Sequence, residues 1–88
     1  MHKVTYTSNA RKDLKSIEKG IADRIIKKIY NYSEQGNPLR YALKVKTPSI
    51  GEYRFRVGNY RVFFDVNRKG EIKILLILRI KHRREAYS

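Results

Sequence analysis

The stretch that most constrains the fold of this sequence is GEYRFRVGNYRVFFDV, residues 51–66. Apolar and polar residues alternate on both sides of a central Gly-Asn pair, which is the period of a β-strand with one buried face. A Gly-Asn pair between two such runs is a strong signal for a two-residue hairpin turn. The stretch therefore predicts two antiparallel strands, residues 53–57 and 60–66, in which Val57 pairs with Tyr60.

A third strand is predicted over residues 72–80. The segment before it suits a type I turn followed by a glycine with positive φ. If the loop comprises residues 68–70, Val66 lies opposite Ile72, and one apolar face runs across all three strands. This register predicts an antiparallel meander.

The first half of the chain predicts one strand and two helices. Residues 2–7 alternate as a short strand, and Ser8 or Asn9 begins a helix that Gly20 ends. A second helix with an apolar stripe follows directly and continues until Gly36.

Residues 37–50 read as a linker with a short strand around residues 43–45. The predicted fold is α+β and forms a single domain over residues 1–88. An N-terminal strand and a helical hairpin pack on one face of an antiparallel β-sheet.

The composition points to an anionic partner. Lys and Arg number 21 against 8 Asp and Glu, which leaves a formal charge of +13. Such a charge favours an anionic partner: nucleic acid, an acidic protein or a membrane surface. No opening segment resembles a signal peptide, and the longest apolar run, residues 74–78, is too short to span a bilayer.

The same composition argues against a metal or a cofactor. The absence of cysteine rules out a thiolate site and fits a reducing cytoplasm. Two histidines and scattered acids do not make a ligand set, and no glycine-rich loop precedes a helix. We therefore expect any catalysis to be metal-free, with no cofactor.

Three arginines, here called the arginine face, occupy the side of the hairpin away from its apolar row: Arg54, Arg56 and Arg61. The predicted register sets Arg56 directly opposite Arg61, where like charges repel. A phosphate between them would turn that repulsion into a gain, because guanidinium groups bind phosphate bidentately. The alternative is that these arginines extend into solvent or pair with nearby acids.

Two further residues are expected to share that face. Arg79 on the third strand is predicted to point the same way, beside Asn59. Phe63, opposite Arg54, offers an aromatic surface on which a base can stack, or a small patch that the C-terminal segment covers. Removing Arg61 should relieve repulsion in the free protein, so we expect Arg61→Ala to be as stable as the parent or slightly more stable.

The C-terminal segment IKHRREAYS adds groups that can move protons. RNA cleavage requires deprotonation of the 2′-hydroxyl, stabilisation of the charged phosphorane and protonation of the 5′-oxygen. Lys81, His82, Arg83 and Tyr87 follow the third strand closely enough to contribute. His82 is the natural proton carrier near neutral pH, although a histidine in a basic tail is more often a surface residue.

Taken together, the hairpin and the closing EIKILLILRIKHRREAY resemble the RelE toxins of type II toxin–antitoxin pairs, within the RelE/ParE superfamily. The resemblance covers essentially the whole chain, and the archaeal RelE branch is nearest in length and charge. It implies a RelE/ParE-like fold and a ribosome-dependent endoribonuclease that cuts messenger RNA in the A site through the 2′-hydroxyl, without metal. It also implies a RelB-like antitoxin, which the charge predicts to be acidic, in a toxin–antitoxin hetero-oligomer in the cytoplasm, without membrane association.

The resemblance also implies roles for residues of the arginine face. Arg54 and Arg56 fall where the family has two basic residues, one of which helps to activate the nucleophile. Arg61 matches the phosphate-clamping arginine. Several RelE members have lysine at the first two positions, and arginine is a poorer proton acceptor, so the identity of the general base stays open.

The C-terminal residues complete the implied site. Lys81 or Arg83 corresponds to the basic residue that assists the leaving group, and Tyr87 matches the tyrosine that orients the reacting nucleotide. The residues expected to contact RNA are Arg54, Arg61, Phe63, Arg79 and His82.

Two other functions remain compatible with this sequence. A ParE-like toxin would poison DNA gyrase by protein–protein binding without nuclease chemistry, and the fold serves both activities. A plain RNA-binding module would use the basic helices and would not need Tyr87. The arginine face together with Tyr87 favours the endoribonuclease, because a protein–protein inhibitor does not require that combination.

Overall fold

Within the part of the chain that the structure describes, five strands form one sheet, and two helices cover one of its faces. A computed structural model describes residues 2–46 and 50–86 of the chain. The helices are α1 (Ser8–Ser16), α2 (Lys19–Ser33) and the short α3 (Arg83–Ala86), with a 3-10 helix at Pro38–Tyr41. The strands are β1 (Lys3–Tyr6), β2 (Ala42–Lys44), β3 (Tyr53–Val57), β4 (Tyr60–Lys69) and β5 (Ile72–His82).

The α+β class is confirmed, and the sheet is mixed. Strands β2 to β5 pair antiparallel, whereas β1 pairs parallel with β5, with Val4 opposite Leu75. The two helices lie between β1 and the rest of the sheet in sequence. They carry the chain from β1 at one edge of the sheet to β2 at the opposite edge.

The β3–β4 hairpin has the register that its sequence predicts. Val57 pairs with Tyr60 and Arg56 with Arg61. Gly58 has a φ of 58°, a conformation that glycine adopts without steric cost.

The predicted register of β4 and β5 is wrong. Lys69 pairs with Ile72, so only Gly70 and Glu71 separate the strands, and Val66 lies opposite Leu75. The register then shifts at Phe63 and Phe64, which lie opposite Arg79 and Ile77 and leave Leu78 as an extra residue in β5. A β-bulge of this kind reverses which residues of a strand face the core.

The predicted break between the helices is also misplaced. Helix α1 ends at Ser16 because Ile17 is extended, with φ −94° and ψ 144°. The carboxylate of Glu18 then accepts hydrogen bonds from the N–H groups of Gly20, at 2.9 Å, and Ile21, at 3.3 Å. Gly20 therefore lies in the first turn of α2, and the capping side chain begins that helix.

The core lies between the helices and one face of the sheet. Ile25 and Ile29 of α2 belong to the same buried cluster as Phe55 and Phe64, whose ring centroids are 4.2 Å apart. No helix in residues 2–46 or 50–86 is long and apolar enough to cross a membrane. Because the helices take one face of the sheet, the side chains of the arginine face project from the other.

Candidate nucleic-acid interface

Three cations lie side by side across the face of the sheet away from the helices. Arg56 of β3 is directly opposite Arg61 of β4, and Arg61 is directly opposite Lys81 of β5. We call these three residues the cationic row. Like charges in directly opposite positions destabilise a sheet, so the row is unfavourable for folding and favourable for binding an anion.

Members of the cationic row differ in how they are held. Arg56 is exposed and Lys81 is half-buried, whereas Arg61 is only 5% exposed. The Nη1 atom of Arg61 donates to the carbonyl oxygens of Gly58, at 3.1 Å, and Tyr60, at 3.0 Å. Arg61 therefore supports the β3–β4 turn in addition to contributing charge, which the sequence did not indicate.

Arg79 does not lie beside Asn59 as predicted. It lies opposite Phe63, and the backbone N–H of Arg83 donates to the Asn59 carbonyl at 2.7 Å. The guanidinium of Arg79 binds Asp13 of α1 with two contacts, Nε to Oδ2 at 2.9 Å and Nη2 to Oδ1 at 3.1 Å. This bidentate pair occupies the donors that an RNA phosphate would use.

The carboxylate of Asp13 accepts hydrogen bonds both from Arg79 and from the backbone of β5. Its Oδ2 also accepts from the backbone N–H of Ile80 at 2.8 Å. Burial alone would raise the pKa of the Asp13 carboxyl, but the hydrogen bonds from Arg79 and Ile80 outweigh it and lower the pKa below its ordinary value. Asp13 thus joins α1 to the end of β5 just before Lys81.

The expectation that Phe63 offers a stacking surface is not met in this conformation. Its side chain is only 3% exposed. The chain before β3 lies against this part of the sheet: a Cβ placed at Gly51 would be 2.8 Å from Cδ1 of Leu78, and the N–H of Glu52 donates to Asp65 at 2.8 Å. Arg54, opposite Phe63, is half-buried.

The C-terminal candidates continue from the cationic row. His82 ends β5 opposite Tyr60, with ring centroids 5.3 Å apart, and its Nδ1 accepts from the N–H of Arg84 at 3.2 Å. Nε2 is therefore the nitrogen that carries the proton in the neutral ring. Arg83 is exposed in the first turn of α3, and Tyr87 lies outside the described residues.

Sequence reasoning assigned no role to two residues that the structure singles out, Asp13 and His2. A lone carboxylate between basic residues of α1 was a visible signal for Asp13. Nothing in the sequence indicated that His2 would be buried, with 8% of its surface exposed. Across residues 2–46 and 50–86, no group of His, Asp or Glu side chains is arranged to hold a metal ion.

Residues 4–87 match the model of a family described as the ParE toxin of the type II toxin–antitoxin system, parDE. No curated protein matches the sequence.

Solved structures of toxin–antitoxin complexes resemble the fold. RelBE2 from Mycobacterium tuberculosis is 26% identical with a TM-score of 0.78, and the alignment covers 93% of this chain and 98% of that one. RelB–RelE from Methanococcus jannaschii is 27% identical with a TM-score of 0.60, covering 93% of each chain. RelE–RelB from Pyrococcus horikoshii is 25% identical with a TM-score of 0.66, covering 93% of this chain and 94% of that one.

Proposed function

Because this chain belongs to the ParE toxin family of type II toxin–antitoxin systems, we propose that it is a toxin that cleaves messenger RNA on the ribosome. The observation that carries the proposal is the cationic row, Arg56, Arg61 and Lys81. Three opposed cations repel one another, and an anion that binds between them would remove that repulsion. The similarity to RelE toxins at 25–27% identity supports the same activity.

The chemistry follows from the needs of RNA cleavage. The 2′-oxygen loses its proton and attacks the adjacent phosphorus, the bond from phosphorus to the 5′-oxygen breaks, and that oxygen takes up a proton. Arg56 and Lys81 are accessible enough to contact the phosphate, and Arg61, 5% exposed between them, adds its positive charge to the site. Such preorganised cations stabilise the charge that develops on the phosphorane.

Proton transfer falls to residues at the end of β5 and beyond. Lys81 or Arg83 assists the leaving 5′-oxygen, and Tyr87 orients the nucleotide. His82 supplies an imidazole with Nδ1 already accepting a hydrogen bond, and Arg54 lies one pleat away from the row. The general base is one of the groups at this end of the sheet.

The proposed partners are an acidic RelB-like antitoxin and the ribosome with messenger RNA in its A site. The solved relatives are complexes of a toxin with its antitoxin. A net charge of +13 favours an antitoxin of opposite sign. We place this activity in the cytoplasm, where ribosomes and messenger RNA meet.

A translating extract with a defined message tests the proposal. The protein should cut the message at mapped positions, and cutting should require ribosomes. Lys81→Ala should lower the single-turnover rate, whereas Lys27→Ala, which removes one charge from an exposed position of α2, should not. Equal loss of activity in both variants would show that net charge alone acts, and an intact message would contradict the proposal.

The second candidate is a gyrase poison. It is favoured by the description of the matched family, which names ParE and parDE. A supercoiling assay with purified gyrase separates the two activities. Inhibition of gyrase by the parent protein, with no cleavage in the translating extract, would establish the ParE-type activity instead.

A further inference from the structure

A second cationic site lies at the opposite end of the β4–β5 hairpin. A cavity of about 430 Å³ opens there between the end of α2, the 3-10 helix and the sheet. Its lining residues are His2, Gly36, Asn37, Leu39, Val66, Asn67, Arg68 and Lys73. Arg68 follows Arg61 on β4 by seven residues, an odd number, so the two side chains project from opposite faces of the sheet. The cavity is therefore separate from the cationic row.

The ring of His2 is buried at this cavity, and its Nδ1 atom has no hydrogen bond. The backbone N–H of His2 donates to the Ser33 carbonyl at 2.9 Å, which holds the residue in place. The side chain is 8% exposed, and its Nδ1 atom is the buried side-chain nitrogen or oxygen of the described residues that has no hydrogen bond. Buried polar atoms normally form hydrogen bonds, so this nitrogen is available to a ligand bound in the cavity.

The charges of the lining select an anion. Arg68 lies directly opposite Lys73, which repeats the like-charge arrangement of the cationic row. No carboxylate lines the cavity, and neither cation forms an ion pair with an acid of the described residues. Burial, reinforced by the charge of Lys73, lowers the pKa of His2, so the ring is neutral at pH 7 and offers one N–H as a donor.

The remaining polar groups are also donors. The side-chain oxygen of Asn37 accepts from the N–H of Leu39 at 3.2 Å, which leaves its NH₂ group for a ligand. Arg68 and Lys73 add several N–H groups, more than the two oxygens of a carboxylate accept. The cavity is far larger than one water molecule and lies within the range of small-molecule sites.

We propose that the cavity beside His2 binds a small phosphate-bearing molecule. Arg68, Lys73, the amide of Asn37 and Nδ1–H of His2 hold the phosphate, and Leu39 and Val66 contact the organic part. The site is independent of the cationic row, and its existence does not depend on the nuclease activity.

Titration of the full chain by NMR tests the proposal, with inorganic phosphate, AMP and acetate as separate probes. Phosphate should cause saturable shifts at the backbone amides of Asn37, Asn67 and Lys73. Tighter binding of AMP would identify a nucleotide as the source, and equal binding would identify free phosphate. A response to acetate equal to that of phosphate, or shifts confined to the cationic row, would overturn the proposal.

Variants separate a built site from general charge attraction. Arg68→Gln should bind phosphate about tenfold more weakly, the effect of losing one charge-assisted contact. Lys69→Gln is the matched control. Lys69 follows Arg68 on β4, so its side chain projects from the other face of the sheet, and its removal costs the same charge. Equal weakening in both variants, or shifts that appear with an RNA oligonucleotide but with neither phosphate nor AMP, would also overturn the proposal.

Melting temperature and phosphate binding of His2→Leu together distinguish a binding role of His2 from a purely structural one. The change removes the unpaired Nδ1, so the free protein should melt at the same temperature or higher while phosphate binding weakens. A lower melting temperature with unchanged phosphate binding would show that His2 serves the fold alone. Lys73→Gln should also weaken phosphate binding, and because Lys73 is exposed and lies opposite Arg68, we expect this variant to fold normally.

Discussion

Arg61 shows at the scale of one residue how a sheet holds a cation in a position that charge repulsion disfavours. From the sequence it is one arginine opposite another. In the structure it also donates to two carbonyl oxygens of the β3–β4 turn and is almost fully buried. The repulsion from Arg56 and Lys81 is therefore offset by hydrogen bonds from a charged donor, which are stronger than neutral ones.

This arrangement reverses the expectation for Arg61→Ala. We expect the free energy of unfolding to fall by about 1–3 kcal/mol, because two partly buried hydrogen bonds from a charged donor to the turn are lost. Arg56→Ala is the matched control: Arg56 is exposed, so its removal relieves repulsion and leaves stability unchanged or slightly higher. Urea unfolding of the two variants measures the difference, and equal stability of both would show that the hydrogen bonds of Arg61 contribute nothing.

The same variant bears on catalysis. If the cationic row stabilises the phosphorane, Arg61→Ala should lower the single-turnover cleavage rate by about a hundredfold to a thousandfold, as for other preorganised donors. The assay should be run below the melting temperature of the variant, so that unfolding does not mimic the loss. A normal rate in the folded variant would restrict Arg61 to a structural role.

Gly51 is a second residue whose importance appears only in three dimensions. A methyl group there would be 2.8 Å from Cδ1 of Leu78 and 3.2 Å from the Phe64 carbonyl. Gly51→Ala should therefore destabilise the protein by about 1–3 kcal/mol, as overpacking does. Gly36→Ala is the control, since nothing lies within 4 Å of its Cβ position. Urea unfolding checks both, and the combination with Leu78→Ala should recover part of the loss.

At the scale of elements, the Asp13–Arg79 pair ties α1 to β5. Strand β1 pairs with β5 only as far as Ile77, so the N–H of Ile80 beyond it needs another acceptor, and Asp13 provides it. The contact positions the end of β5, from which Lys81 and His82 extend. A helix side chain thus replaces a missing strand at this edge.

We expect Asp13→Asn to lower the free energy of unfolding at pH 7 by about 1–3 kcal/mol, because a neutral amide replaces the carboxylate that pairs with Arg79 and accepts from Ile80. The pKa of Asp13 is lowered in the folded state, so its contribution is present above the unfolded pKa of about 3.9 and is lost as pH falls through the folded pKa. The variant should accordingly lose less stability than the parent below about pH 4.

Asp23→Asn, at an exposed position of α2, controls for the loss of one negative charge. Thermal melts across acidic pH compare the three proteins. A parallel acid dependence in the parent and Asp13→Asn would show that this carboxylate is not a source of acid sensitivity. Arg79→Met in both backgrounds isolates the energy of the pair.

At the scale of the whole molecule, the charge of +13 governs encounter with partners. An acidic antitoxin should associate quickly, and the association rate should fall by about tenfold or more between low and high salt, because screening removes the steering. Stopped-flow mixing with the product of the adjacent gene measures this rate. A basic antitoxin, or a rate that does not change with salt, would contradict the prediction.

The sequence by itself determined the features that arise between near neighbours. The Gly58–Asn59 turn and the alternation around it were enough to place Arg56 opposite Arg61, because a two-residue turn and a period of two leave one register. The apolar stripe of α2 likewise predicted a helix with one buried face. These local signals also sufficed for the α+β class.

Tertiary structure decided the rest. A run of apolar residues fits either face of a sheet, so no signal in the sequence marks the bulge at Leu78. Packing in the core shared with the helices placed Leu75, Ile77 and Ile80 on the buried face. The pairing of Arg79 with Asp13 joins residues 66 positions apart, and chain alternation carries no information about such a contact. The burial of His2 depends on where the end of α2 meets the sheet. Each of these three features depends on contacts between elements, and such contacts contribute free energy only after the elements have packed together.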